Sequence, residues 1–217
     1  MQNRGFIYKI IDYKESSKII YVYTNEGKKS FKALGINKKN NKLTSTLITS
    51  NIIEFSITNG QFPSLIDSSV IYSFMNKLDN IKIIDSIRII IELINLMPDE
   101  VNHQRFYNFL ESTLTNLIIN PDKILAIFLI KILYLFGINP NFTECINCHK
   151  KENLIEISKY GGALCSNCGN FNNYEIWHEY YFEKKDMKSY KNTDFNKLFK
   201  EINEYYLYNL NIDLKIK

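Results

Sequence analysis

Four cysteines, the only ones in the chain of 217 residues, stand as two evenly built pairs: Cys145-Ile-Asn-Cys148 and, after sixteen intervening residues, Cys165-Ser-Asn-Cys168. A two-residue spacer lets one tight turn aim two thiolates at a common point. Two such turns supply four sulfurs, each ~2.3 Å from the metal, for a closed tetrahedral zinc site. The gap between the pairs falls in the window of a zinc ribbon or knuckle. Two structural disulfides, a redox dithiol or four unrelated core thiols are the competing readings. Disulfides need an oxidising compartment, and the opening Met1-Gln-Asn-Arg-Gly lacks the apolar core of a secretory signal. A redox motif uses one such pair, not two. A structural zinc ion is therefore expected on Cys145, Cys148, Cys165 and Cys168, with iron in the same cage as the alternative metal. Four protein ligands leave no open position for water, so the ion would hold structure and do no chemistry.

No other residues make a comparable set. The chain has no phosphate-binding glycine loop, no dinucleotide fingerprint and no His-Glu-x-x-His pair. His103 is expected on a helix surface, and His178, beside Trp177, is expected to be packed. His149 directly follows a cysteine and is the one alternative ligand. Asp12, Glu15 and Glu26 form no visible carboxylate pair. The expectation is a protein that is not an enzyme and has no small-molecule substrate.

Charge points elsewhere. The net charge of +4 hides an asymmetry, because residues 1–60 carry ten Lys or Arg against four Asp or Glu. Gly35 to Ser45 reads as a loop with little to pack, bearing Lys38, Lys39 and Lys42, and Lys28, Lys29 and Lys32 precede it. Ammonium groups placed in this way neutralise phosphates without reading bases. Tyr8, Tyr21, Tyr23 and Phe31 would add stacking faces wherever they point outward. The bland reading is that the lysines solvate a loop and the aromatics are core.

The elements that must position these groups follow from hydrophobic period. Phe6 to Tyr13, Lys18 to Thr24 and Lys28 to Leu34 are strand-like runs separated by turns, and Ile53, Phe55 and Ile57 alternate with polar residues. Five or so strands in about seventy residues predict a small antiparallel barrel, of OB or SH3-like type. From about Asp79 the period turns helical, with Ile84, Ile87, Ile91 and Ile94 on one stripe. A second helix is expected over Glu100 to Ile118, and a third from Pro121 with Asn120 as its N-cap. The apolar run Ile124 to Phe136 is broken by Lys131 and too short for a membrane span. Phe195, Leu198, Ile202 and Tyr205 mark a closing helix. A cytoplasmic protein is expected, with no membrane partner.

The apolar helix ending in Leu135-Phe-Gly-Ile-Asn-Pro140, the first cysteine pair, a spacer with Ser158-Lys-Tyr-Gly-Gly162, and the second pair together resemble the RecO family of bacterial recombination mediators. The strand, glycine, basic loop and serine order near Gly35, the Tyr13-Lys-Glu15 turn and the closing Leu214-Lys215 are similar as well. His149 stands where the family commonly has glycine, and the 49 residues after Cys168 are few for it. The resemblance implies an α+β fold: an N-terminal antiparallel β-barrel (OB-fold) over 1–75, then an α-helical domain over 76–217 with the four-cysteine zinc ribbon inserted at about 141–170. It also implies a non-enzymatic, nucleoid-associated mediator of recombinational repair. Such a protein binds single- and double-stranded DNA, anneals complementary strands, contacts the C-terminal tail of single-strand-binding protein and, with RecR, helps load RecA. An OB-fold and zinc-ribbon protein binding RNA at the ribosome, or a zinc-stapled protein-interaction module, are the alternatives.

Overall fold

The computed structural model describes residues 3–36, 43–77, 79–182 and 193–216. It divides into two compact units, 1–119 and 120–217.

The first unit is built on five antiparallel strands, β1 (Asn3–Tyr13), β2 (Ser17–Thr24), β3 (Gly27–Ala33), β4 (Ile52–Ile57) and β5 (Leu65–Tyr72), in the order β3-β2-β1-β4-β5. The two ends of that order meet: Lys32 on β3 forms a parallel bridge with Ser64, and its N–H donates to the Pro63 carbonyl at 3.1 Å. Central β1 paired to both β2 and β4, with β3 returning beside β5, is the five-stranded, partly open barrel of the OB-fold. Ile7, Ile20, Val22, Phe31, Ile53 and Phe55 fill its interior at the period-two positions.

The segment after β3 departs from the expected bare loop. Ile36, Leu43 and Leu47 are buried in the barrel core, so apolar residues anchor both ends of it. Lys38, Lys39 and Lys42 lie outside the described residues.

Helices α1 (Ile81–Leu96) and α2 (His103–Asn116) pack within this same unit, which runs to Ile119, whereas the strand region expected to end at residue 75 closes with β5. Asn80 and Asn102 cap them, each side chain accepting from backbone N–H groups of the first turn. The stripe that α1 buries is Ile83, Ile87, Ile90 and Ile94, while Ile84 is 40% exposed. So many isoleucines occur in this helix that sequence alone admitted a face one residue off. Phe6 and Tyr23, on the outer side of the sheet, are fully buried; Tyr23 meets Phe106 of α2 edge-on and donates or accepts a 2.8 Å hydrogen bond with His103. His103 is thus half-buried at the start of α2, on the helix surface as expected but with one face engaged by Tyr23. Gly27 is required beneath it: its φ is +97°, and a Cβ there would sit 2.8 Å from the imidazole.

The second unit is arranged around α3 (Pro121–Lys131), capped by Asn120 as expected, whose residues Leu125 to Ile130 are all buried. A tight 3-10 turn, Ile132–Phe136, follows and closes at Gly137 in the left-handed region (φ 70°). Helices α4 (Tyr174–Phe182) and α5 (Phe195–Leu210) pack against α3, and the buried Tyr206 hydroxyl donates to the Leu129 carbonyl at 2.8 Å. The hairpin β6 (Leu154–Ser158) and β7 (Gly162–Cys165) lies between α3 and α4 in the chain. The cysteine module is therefore inserted among helices, as expected.

Among the described residues, no helix is long and apolar enough to cross a membrane.

Candidate metal centre and nucleic-acid interface

Each cysteine pair forms the same small turn. The His149 N–H donates to the Cys145 carbonyl at 2.9 Å and the Gly169 N–H to the Cys165 carbonyl at 2.8 Å, folding each loop back on its first cysteine. The β6–β7 hairpin brings the turns together, because Cys165 is the last residue of β7 and the Ile146 N–H donates to the Ala163 carbonyl. As a result the four Sγ atoms lie within 4.8 Å of one another, with Cys148 and Cys165 at 3.5 Å. In a tetrahedral four-thiolate site the sulfurs stand roughly 3.8 Å apart, so this cluster has the dimensions to hold a metal ion.

All four are free thiols. Burial pushes the Cys145 thiol up, but backbone hydrogen bonds from Cys165, Cys148 and Asn147 outweigh it and bring the thiol down to about 6. Cys168 is pushed up to about 12, first by its contact with Cys148 and then by burial. Four crowded sulfurs thus share out their protons, and a metal ion held by Cys145, Cys148, Cys165 and Cys168 would let all four ionise. His149 takes no part. It is exposed in the left-handed region (φ 59°), where glycine is favoured, and its Nδ1 faces the Glu144 carboxylate at 3.3 Å.

Polar side chains tie this module to the helices beside it. Glu156, nearly buried, accepts from the Asn170 and Phe171 N–H groups at 2.7 and 3.0 Å and fixes the exit from the second cysteine turn. Asn173 accepts from the Ile157 N–H and donates to the Glu201 carboxylate of α5 at 2.8 Å. Burial pushes the Glu201 carboxyl above its usual range. His178 stacks on Tyr174 with ring centroids 5.5 Å apart and leans on Phe142, in a packing position.

The basic residues of the barrel fall into distinct environments. The Lys28 ammonium donates to the Met97 and Asn95 carbonyls at 2.7 and 3.4 Å and pairs with Asp99 at 3.7 Å. It caps the C-terminal end of α1, so its donors are already occupied. Replacing Lys28 by Met is expected to lower stability by about 1 kcal/mol and to leave the salt dependence of any DNA binding unchanged. Chemical denaturation and a salt titration of the variant check both halves. Lys29 makes a solvent-exposed pair with Glu26, and Lys32 lies over the Phe62 ring at 5.2 Å. Of the aromatic residues considered for stacking, Phe31 points into the barrel interior, Tyr23 is covered by α2 and Tyr8 is buried at the bulge in β1; Tyr21 alone is half-exposed.

Residues 1–74 match the family model for the Recombination protein O N terminal, and residues 86–180 match that for the Recombination protein O C terminal. A DNA repair protein RecO from Caldicellulosiruptor saccharolyticus is 30% identical over 182 residues, spanning 80% of this chain and 74% of the relative. The chain belongs to the RecO family. Two further RecO relatives, both also named DNA repair protein, agree: that of Halalkalibacterium halodurans is 28% identical over 171 residues (76% of this chain, 67% of the relative), and that of Bacillus cereus 26% over 178 residues (79% and 72%). The four cysteines lie inside the stretch matched by the C-terminal RecO model and the OB barrel coincides with the N-terminal one.

Proposed function

We propose that the protein is a non-enzymatic recombination mediator of DNA repair that binds single- and double-stranded DNA and anneals complementary strands. The observation that supports this most is an OB barrel bearing basic and exposed aromatic residues in a chain of the RecO family, whose relatives are named for DNA repair. Its contacts are with phosphates, through Lys29, Lys32, Lys38, Lys39 and Lys42; Lys28 ties the sheet to the end of α1. Zinc is the ion proposed for Cys145, Cys148, Cys165 and Cys168, since four thiolates suit it and a closed site gives it a structural role. The protein works in the cytoplasm on nucleoid DNA, acts with RecR, and helps load RecA on strands coated by single-strand-binding protein. Annealing of complementary oligonucleotides by the full chain, without a nucleotide cofactor, tests the reading. The chain should accelerate annealing of DNA and hold DNA against an RNA competitor of the same length. Preference for RNA would favour the ribosome-associated alternative, and absence of either binding the protein-interaction module.

The tail of single-strand-binding protein, acidic and apolar, is assigned to the second unit. A groove of about 350 Å³ between β6 and α5 is lined by Lys159, Lys197 and Lys200, by Tyr160 and Phe171, and also by Glu156, Glu201 and Glu204. Glu156 and Glu201 are already held by N–H donors, so the three lysines and two rings are the groups left to meet such a peptide. Replacing Lys197 and Lys200 together by Glu should weaken tail-peptide binding at least tenfold, about 1.4 kcal/mol, as read by fluorescence anisotropy. Undiminished binding would place the tail elsewhere.

A further inference from the structure

Helix α2 covers the end of the β1–β2–β3 outer face where Phe6 and Tyr23 are buried, and the opposite end of that face carries exposed and half-buried side chains in register. Lys9, Tyr21 and Ser30 stand abreast on β1, β2 and β3, and Ile11, Ile19 and Lys32 form the next row. The second row continues into the loop between β4 and β5, through the bridge of Lys32 to Ser64. In that loop Phe62 is 73% exposed, so it buries little apolar area and holds little of the fold.

Two accessible rings here, Tyr21 and Phe62, each carry a cation. The Lys9 ammonium lies 5.4 Å from the Tyr21 ring centroid and the Lys32 ammonium 5.2 Å from that of Phe62. A ring with an ammonium over it matches one nucleotide of a single strand: the long lysine side chain turns to the phosphate and leaves the ring face to the unpaired base. A duplex offers no free base face and can use only the charges.

We infer that Tyr21 and Phe62 are stacking platforms for unpaired bases, with Lys9 and Lys32 meeting the flanking phosphates, so that this face prefers single strands to duplex. The inference rests on the nucleic-acid-binding reading above and adds what that binding recognises. It is tested on the full chain with Phe62→Ala and, separately, Tyr21→Leu, by anisotropy against a single-stranded DNA, an RNA of the same sequence, and the corresponding DNA duplex. Each variant is expected to lose roughly 5- to 150-fold in affinity for the single strands, the range for removing one base-stacking contact. Duplex affinity and the salt slope should stay unchanged, because no charge is removed. Tyr21 is half-buried, so Phe62→Ala, on an exposed loop, decides if Tyr21→Leu also lowers the melting temperature. Single-strand affinity unchanged, or lost equally on duplex, overturns the stacking assignment while the salt slope of the unsubstituted chain upholds nucleic-acid binding. Absence of salt-sensitive binding by the unsubstituted chain overturns both.

Discussion

Replacing Cys165 by Ser is expected to release the metal ion and to unfold the ribbon while the barrel stays standing. Cys165 is 1% exposed and ends β7, so the change strikes the ligand that joins the hairpin to the metal cluster. Structural zinc contributes on the order of 10 kcal/mol or more to small modules, and a site reduced to three thiolates loses much of it. The small apolar cluster of Cys145, Leu164 and Cys165, with Ile146 and Leu154 against it, is too slight to hold the hairpin alone. The first unit has its own core of aliphatic and aromatic residues and should keep its β-sheet signal. Elemental analysis under reducing conditions should find one zinc per chain in the unsubstituted protein and less than that in the variant. Calorimetry should show the loss of stability confined to the second unit. A full complement of metal in the variant, or none in the parent, would contradict the four-sulfur site.

The cysteine module was legible in the sequence because its signal is a fixed spacing that a single turn can satisfy. The strands and helix caps were legible for a similar reason: Asn120 before Pro121, or Ile53 and Phe55 alternating with polar neighbours, encode local geometry. What the sequence did not disclose depends on contacts distant along the chain. Lys28 reads as one of a run of surface cations, yet Met97 and Asn95 turn it into a helix cap. Tyr23 and His103 are eighty residues apart, and only the packing of α2 on the sheet makes them partners. Ile36, Leu43 and Leu47 look like scattered apolar residues of a loop until the barrel interior is there to receive them. Lys9 and Phe62 carried no signal by type, and strand register together with barrel closure brings them to the face of Tyr21 and Lys32.

The lysine track gives the second large effect. If Lys9, Lys29, Lys32, Lys38, Lys39 and Lys42 neutralise roughly four to six phosphates of a single strand, log affinity should fall against log salt with a slope of roughly −3 to −4, at about −0.7 per phosphate. Replacing Lys38, Lys39 and Lys42 together by Ala should flatten that slope by about 2, weaken binding most at low salt, and slow strand annealing. Two like-charged strands meet only when their phosphates are screened. Stability and zinc content should hardly change, since charges that serve to meet phosphates contribute little to folding. Base preference should be weak in both proteins, because ammonium groups position the backbone and do not read base edges.

The most direct test of a phosphate-binding barrel is the salt slope of the unsubstituted chain and of the triple lysine variant, measured side by side on one single-stranded oligonucleotide. The slope should be about −3 to −4 for the first and about −1 to −2 for the second; equal slopes would move the DNA track away from the barrel.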